Sequence, residues 1–285
     1  MAFSGKAIIV KLAYRYGVDA VTLLMYRMLF ALPIFAAMAW WASRGQAPLS
    51  RRDALGVLGL GVSGYYLASF LDFAGLAYIS ASLERLILYL NPTIVLLLGW
   101  AVYGRAIGWG QALGMAISYC GVVLVFGQEL QIHSAQGGQG SDAAWGALLV
   151  FLSALSYAIY LVYSGEMVQR LGALRLVGLA TTVACGLCLL QFVLMRPLSA
   201  ALVAPEVMWL SLLNATLCTA APVVMVMMAV ERIGASAAAQ AGMVGPLSTI
   251  LMGVWLLGEP LTLWVVAGTA LVMLGIFVFT RSRRA

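Results

Sequence analysis

The sequence predicts an all-α membrane protein with ten transmembrane helices, arranged as two inverted five-helix repeats. Three observations lead to this prediction: the apolar composition, the spacing of the apolar runs, and a match between the two halves of the chain. Of the 285 residues, 64% are hydrophobic and 9% are charged, whereas an average soluble domain carries about 25% charged residues. This composition excludes a water-soluble domain, and unbroken apolar runs such as 207–230 exclude an outer-membrane barrel, whose strands alternate.

Ten apolar runs are bounded by polar residues, and a helix that crosses a bilayer needs about 20 residues. The first run is the shortest, and it contains Lys6 and Lys11. Ten crossings place both termini on the same side of the membrane. The predicted spans are residues 2–16, 21–41, 54–78, 82–103, 109–126, 143–163, 174–195, 207–230, 236–257 and 261–280.

Arginines are distributed unequally between the two sets of loops. The loops on the side of the termini carry most of them, including Arg51, Arg52 and Arg281, while the opposite loops carry only Arg15, Arg85 and Arg196. Positive charge accumulates in cytoplasmic loops. We therefore expect a protein of the cytoplasmic (inner) membrane with both termini in the cytoplasm.

The chain divides into two similar halves around a hydrophilic stretch. Residues 1–126 form the first predicted five-span repeat, 127–142 a linker loop, and 143–285 the second repeat. At an offset of 154 residues the halves share backbone-setting residues such as Pro92 and Pro246. An odd number of spans inverts the second copy, and inverted repeats are the architecture of alternating-access transporters.

Short motifs recur near the ends and middles of the spans. This pattern resembles the drug/metabolite transporter superfamily, in the EamA family of ten-span exporters, and most of all the YddG-type amino-acid exporters. The resemblance implies export of amino acids or related small metabolites across the cytoplasmic membrane, without an enzymatic step. The motifs that carry it are Lys11-Leu-Ala, Tyr26-Arg27, the stretch 75–82, Asn91-Pro92, the stretch 231–236, Gly245-Pro246 and the stretch 257–261.

Charged side chains inside the spans are the first candidates for a functional site. Each costs about 2.5–3.5 kcal/mol at the centre of a membrane helix unless it is paired or lies in a wet cavity. Arg27, Asp72 and Glu84 can meet at one depth and form a charge cluster, and Lys11 supplies a cation from the first span. The cluster either clamps three helices together or lines a binding cavity.

Polar residues at helical spacing predict the wall of that cavity in the third, fourth and sixth spans. The alternative for the tyrosines is hydrogen bonding between helices. We expect proton coupling through Glu84, because burial and a nearby cation act in opposite directions on a carboxyl group. The candidate cavity residues are Lys11, Tyr65, Ser69, Glu84, Arg85, Tyr89, Asn91, Tyr157 and Tyr160.

Pro92 and Pro246 are predicted hinges, because proline removes a backbone hydrogen bond within a helix and the two positions match between the repeats. The alternative is a static kink, which we expect for Pro33 and Pro222. Glycine faces at Gly110/Gly114 and Gly268/Gly275 either pair the fifth and tenth spans or form a dimer contact. The protein is thus expected to be a monomer or a weak dimer.

The leading functional prediction is a secondary transporter that binds a small molecule within the bilayer. Alternative substrates are cationic drugs or nucleosides, and the alternative classes are a channel or a membrane assembly partner. No span contains a histidine and no phosphate-binding loop is present, which argues against an intramembrane protease or an ATP-driven pump. We expect no cofactor, no metal and no nucleic-acid partner.

Overall fold

The structure, a computed structural model, describes residues 5–104, 107–135, 140–234, 238 and 246–282. All regular structure within these ranges is helical, without a strand. Eight helices among the described residues are long and apolar enough to cross a membrane. The chain is therefore a multi-pass integral membrane protein.

Eleven helices are labelled here in chain order, within the described ranges. A short 3₁₀ turn, Leu198–Ala201, precedes the ninth. The helices are α1 Gly5–Tyr14, α2 Ala20–Ser43, α3 Arg51–Leu76, α4 Ala81–Leu88, α5 Asn91–Tyr103, α6 Trp109–Ala135, α7 Gly140–Leu171, α8 Ala173–Met195, α9 Pro205–Ile233, α10 Pro246–Met252 and α11 Leu263–Arg281.

Two of the ten predicted spans are not among the eight long apolar helices. The first, 2–16, is represented by the ten residues of α1, because residues 1–4 lie outside the described part of the chain. The ninth, 236–257, is represented by Ala238 and by the stretch from Pro246 onward. The described structure thus contains eight of the predicted crossings at a length that can span a membrane, one of them formed by α4 and α5 together.

The predicted linker 127–142 is largely helical in the structure. Helix α6 continues to Ala135 and α7 begins at Gly140, so that only 136–139 separate them, and these four lie outside the described residues. Gln128, Glu129 and Leu130 are good helix formers. Their polarity suggested a loop, but it does not interrupt the helix.

Side-chain caps define several helix starts. Asp19 accepts hydrogen bonds from the amides of Val21 and Thr22 at the start of α2 and pairs with Arg196 at 3.2 Å. Burial opposes the ionisation of Asp19, but hydrogen bonds from Thr22 and Val21 and the charge of Arg196 outweigh it and hold its pKa below the ordinary value. Ser50, Ser80 and Thr262 cap α3, α4 and α11 in the same way.

Helix starts in the two halves follow one another at a constant distance. Helices begin at Arg51 and Trp109 in the first half and at Pro205 and Leu263 in the second, 154 residues later in each case. Gly104 and Gly258, again 154 residues apart, both adopt a left-handed conformation after a helix. The offset of 154 residues found in the sequence therefore also relates helix starts and glycine conformations in the first half to those in the second.

Two helices contain a π-helical turn, a third π-helical turn directly follows α10, and one predicted span is broken. The π turns are Gly61–Leu67 within α3, Thr216–Ala220 within α9 and Gly253–Leu257 after α10. The fourth predicted span ends as α4 at Leu88 and restarts as α5 at Asn91, immediately before Pro92. Proline cannot donate the hydrogen bond that would continue the helix.

Glycines bring α6 and α11 into backbone contact. A Cβ atom on Gly114 would lie 2.6 Å from the carbonyl oxygen of Gly275, and one on Gly121 would lie 2.6 Å from that of Gly268. Such close approach supplies the packing contacts that hold membrane helices together. Of the two alternatives for the glycine faces, the structure has the pairing within the chain.

All eight tryptophans lie on the surface of the bundle, with exposed fractions between 52% at Trp145 and 88% at Trp255. Tryptophan is large and apolar with one polar N–H group, and it is enriched where membrane and water meet. The outer surface of the bundle is therefore suited to contact lipid.

We expect the substitution Gly121→Ala to destabilise the protein by about 1–3 kcal/mol, because the new methyl group would collide with the backbone of α11. Gly186→Ala in α8 is the matched control, since no atom lies within 4 Å of its Cβ position. Thermal unfolding of the purified variants in detergent measures the difference. Equal midpoints for the two variants would contradict the glycine-mediated contact.

Candidate functional site

A cavity of about 180 Å³ lies between the helices. A cavity of about 150 Å³ can hold benzene, so this one suits a small organic molecule. Helices α1 to α5, α7 and α9 contribute side chains to its wall, as does Ala238. Its polar wall consists of the cations Lys6, Arg27 and Arg85, the tyrosines Tyr65, Tyr89 and Tyr157, and Ser69, Asn91 and Ser153.

Six of the nine candidate residues from the sequence line this cavity, namely Tyr65, Ser69, Arg85, Tyr89, Asn91 and Tyr157. Lys11, Glu84 and Tyr160 are not part of its wall. The first helix instead contributes Lys6, five residues before Lys11, and five residues rotate a side chain by about 140° around a helix. Lys11 interacts electrostatically with the carboxylates of Glu259, Glu129 and Glu84.

An ion pair joins the first helix to the third. The Lys6 ammonium lies 2.6 Å from Asp72 Oδ2, with the two side chains 12% and 1% exposed. Asp72 also lies beside Glu84, which is fully buried and faces Arg85 Nε at 3.6 Å. The two buried carboxylates therefore both stand next to cations of the cavity wall.

Arg27 is arranged differently from the predicted cluster with Asp72 and Glu84. Its Nε donates a hydrogen bond to Thr219 Oγ1 at 2.9 Å, and its guanidinium lies 5.1 Å from the centre of the Phe73 ring. Thr219 belongs to the π turn of α9 and donates in turn to the carbonyl of Asn214. The hydrogen-bond partner of Arg27 is thus a hydroxyl in the other half of the chain.

The rings of Tyr65 and Tyr157 line one side of the cavity, and Tyr160 lies behind them. Tyr65 and Tyr160 share a hydrogen bond of 2.6 Å between their hydroxyl groups, and Tyr157 stacks on Tyr160 at 5.6 Å. Gly64 makes this possible, because a Cβ atom there would lie 2.3 Å from the ring of Tyr160. Tyr160 is therefore a buried support for Tyr65 and Tyr157, as in the interhelical alternative stated above.

Two carboxylates hold the start of α4, the helix that carries Glu84 and Arg85. Glu129 accepts the amide hydrogen bond of Ser80 at 2.7 Å. Glu259 accepts from the amide of Ala81 at 2.7 Å and from the hydroxyl of Ser82 at 2.6 Å. Glu259 follows α10, so this contact joins the two halves of the chain.

The contact made by Glu259 was not foreseen from the sequence. The stretch 257–261 is one of the motifs of the sequence, but nothing in it indicates that Glu259 binds the start of α4. The acidic residue in a turn next to helix ends is the signal that could have been used, since exposed amides at a helix start attract carboxylates. The described residues contain no group of three potential metal ligands.

A cavity between membrane-crossing helices, with charged and polar side chains in its wall, is the arrangement found in membrane transporters. The sequence pattern of the EamA-like transporter family matches residues 1–127 and 144–281. The chain belongs to this family.

Relatives over most of the chain are also transporters by name. The uncharacterized transporter YcbK of Bacillus subtilis (strain 168) is 31% identical over 277 residues, which cover 94% of this chain and 86% of the relative. An uncharacterized transporter of Archaeoglobus fulgidus is 28% identical over 234 residues, covering 81% and 77%. Neither name specifies a substrate.

A solved crystal structure has a similar fold. It matches with a TM-score of 0.67 and 18% sequence identity, and the match covers 99% of this chain and 96% of the other. At this identity the likeness concerns the fold alone.

We expect Glu259→Ala to lower the free energy of unfolding by roughly 1.5–3 kcal/mol, because the substitution leaves amides at the start of α4 without their charged acceptor. Glu206→Ala is the control, since Glu206 is an exposed residue in the first turn of α9. Thermal unfolding in detergent compares the two variants. A midpoint for Glu259→Ala as high as that of the control would show that the clamp contributes nothing to stability.

Proposed function

We propose that the chain is a secondary transporter that exports amino acids or related small metabolites across the cytoplasmic membrane, as the resemblance to YddG-type exporters implies. The observation that carries this proposal is the composition of the cavity wall. It combines Lys6, Arg27 and Arg85 with tyrosine rings, an amide and hydroxyl groups. A zwitterion needs a cation for its carboxylate and an aromatic ring or hydrogen-bond acceptor for its ammonium group.

The cavity chemistry favours a zwitterion over a cationic drug. Guanidinium groups bind carboxylates through charge-assisted hydrogen bonds, and aromatic faces attract ammonium groups. Arg85 and Tyr157 represent these two kinds of group in the wall. A cationic drug would meet three cations in the same space, which disfavours it.

The architecture proposed for this function is a bundle of ten transmembrane helices in two inverted five-helix repeats, with both termini in the cytoplasm. The constant offset of 154 residues between helix starts supports the repeats. The glycine faces of α6 and α11 are occupied by one another, which supports a monomer. A reporter fused after Ala285 that is active only outside the cell would contradict the orientation.

Alternating access requires a wall that can change shape. The break between Leu88 and Asn91, next to Pro92, lies at the cavity and supports a hinge at this point. Pro246 is the first residue of α10, and residues 239–245 before it lie outside the described part of the chain. We propose that these two prolines act as a matched pair of hinges.

Counterflow in proteoliposomes tests the transport function. Vesicles loaded with an unlabelled amino acid should accumulate the labelled one transiently, and the initial rate should saturate, because a carrier exchanges one bound molecule for another. A panel of amino acids, nucleosides and organic cations identifies the substrate class. A pH gradient imposed across the same vesicles should accelerate uptake if Glu84 couples flux to protons. Non-saturable flux would indicate a channel, and exchange restricted to nucleosides or organic cations would overturn the proposal.

We expect Pro92→Ala to slow turnover several-fold with little loss of folded protein. Alanine restores the amide donor and allows α4 and α5 to join, which would favour one conformation. Pro33→Ala is the control, because Pro33 lies inside the continuous helix α2 and outside the cavity wall. Counterflow rates normalised to folded protein measure the effect, and wild-type turnover in Pro92→Ala would remove the hinge role.

A further inference from the structure

We infer that Arg27 binds the carboxylate of the transported molecule and makes the transporter select carboxylates over their uncharged analogues. This inference rests on the proposed transport function, and it names the group in the cavity that determines specificity. The resemblance between sequences does not assign this role to Arg27.

The three cations of the cavity wall are not fully neutralised by the two carboxylates that pair with them. Lys6, Arg27 and Arg85 carry three positive charges, and Asp72 and Glu84 beside them carry two negative charges when both are ionised. One positive charge is therefore in excess. A carboxylate bound beside Arg27 would neutralise one positive charge at that point, while the ammonium group of a zwitterion would lie elsewhere in the cavity.

The excess charge is located at Arg27. The Lys6 ammonium is paired with Asp72 at 2.6 Å, and Arg85 Nε faces Glu84 at 3.6 Å. Among the described residues, no carboxylate lies within salt-bridge distance of Arg27. The first two cations are thus neutralised locally, whereas the charge of Arg27 is balanced only at longer range.

The guanidinium of Arg27 also has an unused donor. Arg27 is 4% exposed and lines the cavity, and its Nη1 has no hydrogen-bond partner in the described structure. A buried donor without an acceptor costs free energy, and a charged one costs more. A carboxylate in the cavity would satisfy both the charge and the donor.

Two contacts hold the group in place. The Nε–Thr219 hydrogen bond of 2.9 Å fixes one edge of the guanidinium, and Phe73 lies at its face. A guanidinium held in this way is already oriented when an anion arrives, so that less side-chain entropy is lost on binding. A rigid donor of this kind distinguishes a carboxylate from an amide of the same shape.

The experiment compares acid and amide forms of one molecule in counterflow. For an amino acid that the wild type exchanges, competition by the free acid is measured against competition by its amide, for instance leucine and leucinamide. We expect the wild type to prefer the acid by roughly ten- to a hundredfold, the range of a charge-assisted hydrogen bond. Arg27→Gln should lose this preference by weakening binding of the acid without weakening that of the amide, which carries a positive charge and no carboxylate. Arg27→Lys, which keeps the charge without the planar fork, should retain part of it.

Arg175→Gln is the matched control. Arg175 is also buried, and it donates to the carbonyl of Ala47 outside the cavity wall. This variant should keep the wild-type preference for the acid. The comparison separates the loss of an anion partner from the general effect of removing a buried arginine.

The outcomes are distinguishable. Equal competition by acid and amide in the wild type overturns the inference even if Arg27→Gln does not fold, and so does an Arg27→Gln variant in which both forms weaken equally. In either case the proposed transport of amino acids stands. If the wild type exchanges no amino acid but exchanges simple carboxylates such as 4-methylpentanoate in an Arg27-dependent way, the inference stands and the proposed function fails.

Discussion

A charge within the hydrocarbon of a membrane must be paired or wetted, and this constraint organises the centre of the molecule. The Lys6–Asp72 pair is its clearest case, because at 2.6 Å it ties the short first helix to α3. Removing one partner of a buried pair leaves an uncompensated charge and typically costs 3–5 kcal/mol. The position of the first helix therefore depends on Asp72, and the cavity forms where the paired charges collect.

Regular and irregular helices are distributed unequally around this centre. The close backbone contacts at Gly114 and Gly121 of α6 lie outside the cavity wall. The wall instead contains the π turn of α3 with Tyr65 and the break before Asn91. Shifted helical registers are frequent at functional sites, because they change the direction of side chains and free backbone groups. The bundle thus combines a tightly packed helix pair with a wall of locally altered helices.

The sequence predicted the apolar helices and most of the cavity wall for a simple reason. Runs of apolar residues determine where a helix can cross, and polar residues at helical spacing, such as Tyr65 and Ser69, must turn inward. The rotation of a helix about its own axis is set by its neighbours. The sequence therefore predicts Lys11 in the cavity wall, whereas the structure has Lys6 there. Partners far apart in the chain were also missed. Thr219 lies 192 residues from Arg27, and no local pattern relates them.

The charged groups of the cavity all belong to the first half of the chain, and this asymmetry bears on how the halves can move. Both ion pairs at the cavity, those of Asp72 and Glu84, lie within the first half. The described second half contributes hydroxyl and apolar groups to the wall, among them Tyr157 and Val223. Ion pairs between the halves, such as Arg170–Asp53, lie away from the cavity and are partly exposed, where such pairs contribute little. Separating the halves at the cavity therefore breaks hydrogen bonds such as Arg27–Thr219 and Tyr65–Tyr160 but neither of the cavity's ion pairs. A carrier built in this way could open at the cavity without separating Asp72 or Glu84 from its cation, while an anion bound to Arg27 would move with the first half.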